Sequence, residues 1–129
     1  LIAACLTPEQ CLIFAELAHT LNMEVLLEIH SAEELGHLNA FVDMLGVNNR
    51  NLGTFHTDVE NSFRLAKAIQ TVARERNLSP LLVSESGISA TTTVSNLREA
   101  GFRGFLIGET FMKTDAPGDT LAQFIGGLS

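Results

Sequence analysis

The stretch Leu81-Leu82-Val83-Ser84-Glu85-Ser86-Gly87-Ile88 carries a pattern that repeats along the chain. Its apolar run, Leu81–Val83, does not alternate with polar residues, which is typical of a strand covered on both faces. Polar residues and Gly87 follow the run, as expected for a loop at the carboxyl end of a strand. A helical pattern comes next, with Ser89 as its predicted cap. The stretch therefore predicts one β-strand followed by one α-helix.

The same order recurs on both sides of this stretch. Four further apolar runs predict strands at Leu1–Leu6, Val25–Ile29, Met44–Val47 and Gly104–Ile107. Capping boxes predict helix starts at Thr7 and Ser31, and a single cap predicts a start at Asp58. Gly101 is predicted to close a helix. An uninterrupted alternation of strand and helix predicts a parallel sheet with right-handed crossovers. This pattern fits both an open doubly wound sheet and a (β/α)₈ barrel.

Composition narrows the class of protein. The chain has 129 residues, of which 46% are hydrophobic and 18% charged, as is typical of a single globular domain. Its net charge of -7 disfavours nucleic acid and anionic membranes as partners, because both bind basic surfaces. The apolar runs have strand length, so no membrane span is predicted. Cys5 and Cys11 lack ligand spacing and are predicted to be buried, reduced thiols of a cytoplasmic protein.

Two charged residues at predicted strand ends are candidates for chemistry. Glu28 lies inside the apolar run Leu26–Ile29, where a carboxylate is costly unless it is paired or used for proton transfer. Arg50 is the basic residue best placed at a strand end, and guanidinium holds carboxylate or phosphate in bidentate fashion. For both residues a structural ion pair is the alternative interpretation.

The two last predicted strands are each followed by a glycine-containing loop. Ser86 and Gly87 follow one strand, and Gly108 and Glu109 follow the other. Two such loops after the last strands of a barrel form a common phosphate-binding site. The loop Asn51–Thr57 is polar and is also expected to contact substrate. No metal site is predicted, because the four histidines show no ligand spacing.

These residues resemble motifs of a known family. Four segments, spaced in order along essentially the whole chain, resemble strands five to eight of indole-3-glycerol phosphate synthases, while Leu1–Ala4 resembles the fourth strand. The most specific of these motifs is the segment Gly46–Leu52, which contains Asn48-Asn49-Arg50-Asn51. The four segments are Leu27–His30, Gly46–Leu52, Val83–Ile88 and Phe105–Glu109. The resemblance implies a partial TIM (β/α)₈ barrel containing strands four to eight with their helices.

The resemblance also implies an activity and a set of site residues. The family closes the indole ring of a phosphorylated anilino-sugar with loss of CO₂ and water, in tryptophan biosynthesis. Glu28 is implied as the catalytic carboxylate and Asn48 as the residue that orients the sugar. The substrate-binding residues implied are Arg50, Ser86, Gly87, Gly108 and Glu109. Glu109 departs from family members with Ser at this position, which places a hydroxyl contact to phosphate in doubt. No cofactor is implied.

The extent of the resemblance predicts a partial domain. Residues 1–129 are expected to be the C-terminal portion of a single barrel domain, with the first three βα units and the general-acid lysine absent. The chain also lacks an initiator Met, so we expect a piece of a longer protein, inactive alone. We expect the parent to be monomeric or fused to another tryptophan-pathway enzyme. The alternatives are another phosphate-binding barrel enzyme, such as a sugar-phosphate isomerase or epimerase, and a non-catalytic half-barrel.

Overall fold

The computed structural model describes residues 1–128, in which strands and helices alternate. The strands are β1 (Leu26–Ile29), β2 (Met44–Asn48), β3 (Leu81–Glu85) and β4 (Gly104–Leu106). The α-helices are α1 (Pro8–Thr20), α2 (Glu60–Glu75), α3 (Thr91–Glu99), α4 (Glu109–Met112) and α5 (Pro117–Gly126). Two 3₁₀ helices span Ala3–Cys5 and Ala32–His37. Ser129, the last residue of the predicted domain, lies outside the described residues.

The four strands form one parallel sheet in the order β1-β2-β3-β4. Buried residues of α1, α2 and α3 belong to a single apolar cluster with the strands. A doubly wound sheet instead reverses its strand order and carries helices on both faces. Sequential order with the helices in one layer is the arrangement of a barrel. The predicted α/β class and partial TIM barrel are therefore confirmed.

Side chains alternate along the strands between a face packed on the helices and an opposite face that carries the polar residues of the site. Leu27, Ile29, Leu45 and Val47 are fully buried toward the helices. Burial of each such side chain contributes about 1.5–3 kcal/mol before the loss of conformational entropy is counted. The residues between them in sequence point to the opposite face of the sheet. On that face the register aligns Glu28 with Gly46, and Asn48 with Glu85.

The first predicted strand, Leu1–Leu6, is wrong for most of its length. Ile2 makes one parallel bridge with Glu28, and the N–H of Glu28 donates to the carbonyl of Leu1 over 2.8 Å. The chain then turns into the 3₁₀ helix Ala3–Cys5, because the N–H of Leu6 donates back to the carbonyl of Ala3. This turn exposes Cys5, so the predicted burial holds for Cys11 alone.

The predicted helix caps are partly confirmed. Thr7 forms the predicted capping box with Gln10. Asp58 lies one residue before the N-cap of α2, Val59, although its carboxylate accepts the N–H of Glu60 over 3.1 Å. The capping box at Ser31 is wrong, because the Glu34 carboxylate accepts the N–H of His30 instead. The cap at Ser89 is also wrong, since α3 begins two residues later, at Thr91. The expected closing glycine, Gly101, follows α3 with a positive φ.

Across residues 1–128, none of the helices combines the length and the apolar character needed to cross a membrane.

Candidate active site

The carboxyl ends of β1 and β2 bring the two predicted catalytic residues together. The side-chain amide of Asn48 donates to the Glu28 carboxylate over 2.9 Å. The same side chain accepts the backbone N–H of Arg50, also over 2.9 Å. Because both ends of the amide are engaged, the orientation of Asn48 is fixed by its neighbours rather than by solvent. Asn48 therefore holds the half-buried Glu28 carboxylate at the tip of the sheet.

Glu85 adds a second carboxylate to this tip, which the sequence-based site does not include. Gly46 lies between Glu28 and β3, and a Cβ atom at Gly46 would overlap the Glu85 carboxylate. The glycine is thus required by the close approach of that side chain over β2. Within residues 1–128, one oxygen of this carboxylate is buried and accepts no hydrogen bond. The sequence carries a signal for Glu85, since it is a carboxylate at the end of an apolar strand, as Glu28 is a carboxylate within one.

The two carboxylates occupy different environments. Glu85 is 5% exposed, and its burial raises the pKa of the carboxyl to about 7, with the negative charge of Glu28 as the second cause. Near neutral pH, Glu85 therefore carries a proton for much of the time. A protonated and an ionised carboxyl side by side can donate and accept a proton at one site.

The five predicted substrate-binding residues line one open cavity of about 460 Å³. Arg50 lies on one wall, Ser86 and Gly87 form the loop after β3, and Gly108 and Glu109 form the loop after β4. The cavity is bounded in addition by Thr57, Ile88, Ser89, Ile107, Thr110 and Lys113. The hydroxyl of Thr110 donates to the carbonyl of Ile88 over 2.6 Å, which ties the two loops together.

The loop after β3 has an unusual backbone. Ser86 and Gly87 both have positive φ, of 69° and 77°. A Cβ atom at Gly87 would also lie 2.7 Å from the Thr57 side chain. The N–H of Ser86 donates to the carbonyl of Leu106, so this residue can contribute its hydroxyl to an anion more readily than its backbone. Gly108 differs, because a Cβ atom there would meet open space.

Arg50 is paired on the wall of this cavity. One guanidinium nitrogen donates to the Glu109 carboxylate over 3.1 Å, while the buried Nε atom has no hydrogen-bond partner within residues 1–128. Both side chains of the pair are exposed, at 40% and 75%, so the pair is weak and can be exchanged for another anion. Lys113 adds a second cation to the cavity wall. It lies one helical turn after Glu109, and the sequence-based site does not include it.

Asn49 has a structural role beside these residues. It is 4% exposed and donates to the Ser84 hydroxyl and to the carbonyl of Ser86, over 3.1 and 3.0 Å. Its oxygen accepts both the N–H and the hydroxyl of Ser62. The network joins the end of β2, the start of α2 and the end of β3. It therefore fixes the spacing between the loop that carries Arg50 and the loop that carries Ser86.

The arrangement thus combines an acid–base pair with an anion-sized cavity at one edge of the sheet. Arg50 connects the two parts, because its backbone N–H binds Asn48 and its side chain lines the cavity. Among residues 1–128, no three His, Cys, Asp or Glu side chains are grouped as metal ligands would be.

Comparison with known proteins agrees with these features. A family model described as indole-3-glycerol phosphate synthase matches residues 1–124. The chain belongs to the indole-3-glycerol phosphate synthase family. This match distinguishes the chain from the sugar-phosphate isomerases and epimerases that were the alternative among phosphate-binding barrels.

Curated relatives carry the same family name. An indole-3-glycerol phosphate synthase of Bacteroides thetaiotaomicron is 62% identical over 128 residues, which are 99% of this chain and 46% of the relative. Relatives in Polaromonas naphthalenivorans and Delftia acidovorans, with the same name, are 42% identical over 127 residues and 40% identical over 124 residues. They are covered over 46% and 44% of their lengths, and this chain over 98% and 95%. The chain thus spans about half the length of the curated relatives it matches.

Proposed function

We propose that this chain supplies part of the active site of an indole-3-glycerol phosphate synthase, a decarboxylating carbon–carbon lyase. The substrate is 1-(2-carboxyphenylamino)-1-deoxyribulose 5-phosphate. A bond forms between the aromatic carbon that bears the carboxylate and the sugar carbonyl carbon, CO₂ leaves from that aromatic carbon, and water is lost. Indole-3-glycerol phosphate results. Family membership and the two-part site at the strand tips support this proposal.

The observation that carries the proposal is the separation of one site into a proton-transfer end and an anion-binding end. At the first end, Glu28 is held by Asn48 and faces Glu85, so that one carboxyl accepts a proton while the other can donate one. Ring closure and loss of water require proton movement at the carbonyl and hydroxyl oxygens. We assign Glu28 the catalytic role and Asn48 the role of orienting the sugar portion.

At the second end, the cavity fits the phosphate of the substrate. We assign Ser86, Gly87 and Gly108 to phosphate binding. The first backbone N–H groups of α4 have no hydrogen-bond partner within that helix. Arg50 and Lys113 supply positive charge on the cavity wall. Glu109, by contrast, reduces that charge through its pair with Arg50. Phosphate binding therefore requires Arg50 to exchange one anionic partner for another, or Glu109 to move aside.

We further propose that residues 1–129 are the C-terminal portion of a single barrel domain in a cytoplasmic protein, monomeric or fused to another pathway enzyme. The sequential strand order and the coverage of about half of each relative support the domain assignment. The unpaired thiols of Cys5 and Cys11 fit a reducing compartment.

The test is turnover in a full-length protein. In what we term the carrier chimera, this chain replaces the matching 128-residue segment of the B. thetaiotaomicron relative. We expect the carrier chimera to convert the anilino-sugar phosphate to indole-3-glycerol phosphate. Glu28→Gln should lower kcat by about a hundredfold or more with little change in KM, because removal of a positioned proton-transfer group costs about this much.

Glu24→Gln is the matched control, since Glu24 is exposed and lies just before β1. It should leave turnover unchanged. Near-normal turnover in the Glu28→Gln variant would remove Glu28 from the mechanism, and a carrier chimera that folds without turnover would contradict the proposed activity. The 129-residue chain alone should be inactive, because four strands do not close a barrel.

A further inference from the structure

His30 is a half-buried residue beside the carboxylate pair, and the proposed function gives it no role. It follows β1 directly, and its side chain is 18% exposed. Its Nε2 atom lies 3.4 Å from a Glu28 oxygen, and its Nδ1 atom lies 3.8 Å from a Glu34 oxygen. Within residues 1–128 neither ring nitrogen makes a hydrogen bond of ordinary geometry, although both are buried.

Glu34 fixes the position of this ring from the other side. It lies in the 3₁₀ helix Ala32–His37, and its carboxylate accepts the backbone N–H of His30 over 2.6 Å. The Asn61 side chain of α2 donates to the carbonyl of His30 over 3.0 Å. The backbone of His30 is therefore held at both polar groups, and the imidazole lies between two carboxylates.

We propose that His30 is a positioning residue that keeps the shared proton of the Glu28–Glu85 pair on Glu85, by directing its Nε2–H group at Glu28. A donor aimed at a carboxylate stabilises the ionised form. Glu28 receives one such donor from Asn48 and has the Nε2 atom of His30 3.4 Å away, whereas one Glu85 oxygen is buried without any donor. The asymmetry of the pair thus arises from the groups around Glu28 as well as from the burial of Glu85.

Other charged groups face this cluster and must be held constant in a test. Asp58, His56 and Arg64 share with His30 a small polar cavity of about 190 Å³. Of these, the exposed His56 offers a matched control, because it is a second histidine of the same cavity.

The position of the proton can be measured in the chain without substrate. The ¹³C signals of the Glu28 and Glu85 carboxyl groups are followed from pH 4 to pH 9. With His30 present, the step near pH 7 should belong to the Glu85 signal alone. In His30→Leu the proton should be shared between Glu28 and Glu85. About half of the chemical-shift change of each carboxyl signal should then fall in one titration step that is common to both. His30→Gln, which keeps a donor, should restore part of the separation, and His56→Gln should not alter it.

Separate steps that persist unchanged in His30→Leu would overturn the proposal. If that variant does not fold, the tautomer of His30 in the unsubstituted chain decides, read from long-range ¹H–¹⁵N correlations at pH 7. A proton on Nε2 supports the proposal, and a bare Nε2 contradicts it.

The consequence that Glu28 is kept ready to accept a proton during ring closure rests on the proposed function. The titration itself needs neither substrate nor turnover. Loss of activity in the carrier chimera with a normal titration would contradict the proposed function alone, whereas a failed titration with normal turnover would contradict the role of His30 alone.

Discussion

At the scale of single residues, environment gives two identical side chains different properties. Glu28 lies one residue before the end of β1, Glu85 is the last residue of β3, and both point to the same face of the sheet. Glu28 is half-buried and accepts a hydrogen bond from Asn48, whereas Glu85 is almost fully buried. Because desolvation disfavours a charge, the raised pKa belongs to Glu85. Residue type alone would not distinguish the two.

Glu109 should weaken anion binding, because it pairs with the Arg50 guanidinium on the cavity wall. Glu109→Gln removes this competing carboxylate. We expect the affinity of the chain for inorganic phosphate to rise about two- to fivefold, since an exposed pair contributes less than about 1 kcal/mol. Calorimetry or amide chemical shifts at low salt measure the change.

Glu99→Gln provides the control for net charge, because Glu99 is exposed at the end of α3 and lies outside the cavity. It should change phosphate affinity much less than Glu109→Gln. Equal effects of both substitutions would show that only the overall charge matters, and weaker binding in Glu109→Gln would contradict the competition directly.

The two glycines of the cavity should respond differently to alanine. Gly87→Ala requires a side chain at φ 77° with a contact at 2.7 Å, so we expect a loss of about 1–3 kcal/mol in the free energy of unfolding. Gly108→Ala meets open space and should change stability by less than about 0.5 kcal/mol. It should instead lower phosphate affinity about tenfold, because its methyl group blocks one hydrogen bond to the anion.

Urea unfolding and phosphate titration of both variants separate these effects. A large loss of stability in Gly108→Ala would show that this glycine has a structural role, and unchanged phosphate affinity would remove its assignment to the anion.

At the scale of elements, the sheet and helices are joined by buried polar groups as well as by apolar packing. Asn49, Ser62 and Ser84 are all buried, and they connect the ends of β2 and β3 to the first turn of α2. Each group in this network is satisfied by the others, so the network is specific for one spacing of the three elements. The loops that carry the candidate site inherit that spacing.

Asn49→Ala should therefore be strongly destabilising. The substitution leaves several buried donors and acceptors without partners, at a cost of about 2–4 kcal/mol in total. The urea midpoint, followed by circular dichroism, measures this loss. Asn96→Ala serves as the control, since Asn96 is exposed on α3, and it should change stability by less than about 0.5 kcal/mol. Equal stability of the two variants would contradict the role of the network.

At the scale of the whole molecule, the buried Glu85 couples the candidate site to folding. Its pKa in the folded chain is raised from 4.5 to about 7. Between these values the folded state binds more protons than the unfolded state, so the free energy of unfolding falls as pH rises. The destabilising contribution is absent below about pH 4.5 and complete above about pH 7.

Glu85→Gln removes this contribution and should flatten the dependence. We expect the variant to gain stability relative to the unsubstituted chain as pH rises from 5 to 8. Urea unfolding at pH 5 and at pH 8 measures this gain. Because both proteins contain the same four histidines, the contribution of these residues largely cancels in the comparison. Glu99→Gln should show no such gain. A stability difference that does not change with pH would contradict the raised pKa of Glu85.

The sequence predicts the repeating elements well because short apolar runs and capping residues are local signals. β1 to β4 and the Thr7 capping box follow from adjacent residues alone. The failures occur where two local hydrogen-bonding patterns compete. Residues 3–5 leave the edge of β1 for a 3₁₀ turn, and Glu34 binds the N–H of His30 rather than capping Ser31. Residue type alone does not show which of the competing partners is taken.

The candidate site divides in the same way. That Glu28, Asn48, Arg50 and the two glycine loops lie at one edge follows from the sequence, because the carboxyl ends of parallel strands meet there. The Arg50–Glu109 pair and the approach of Glu85 over Gly46 do not follow, since each joins residues far apart in the chain.

The sequence alone determined the order of strands and helices, the edge at which the polar residues collect and the resemblance to one enzyme family. Only the tertiary structure decided which carboxyl holds a proton, which cation is already paired and which asparagine is structural. The physical reason is that pKa values, ion pairs and buried hydrogen bonds depend on distance and desolvation. Both quantities exist only after residues remote in sequence have been packed together.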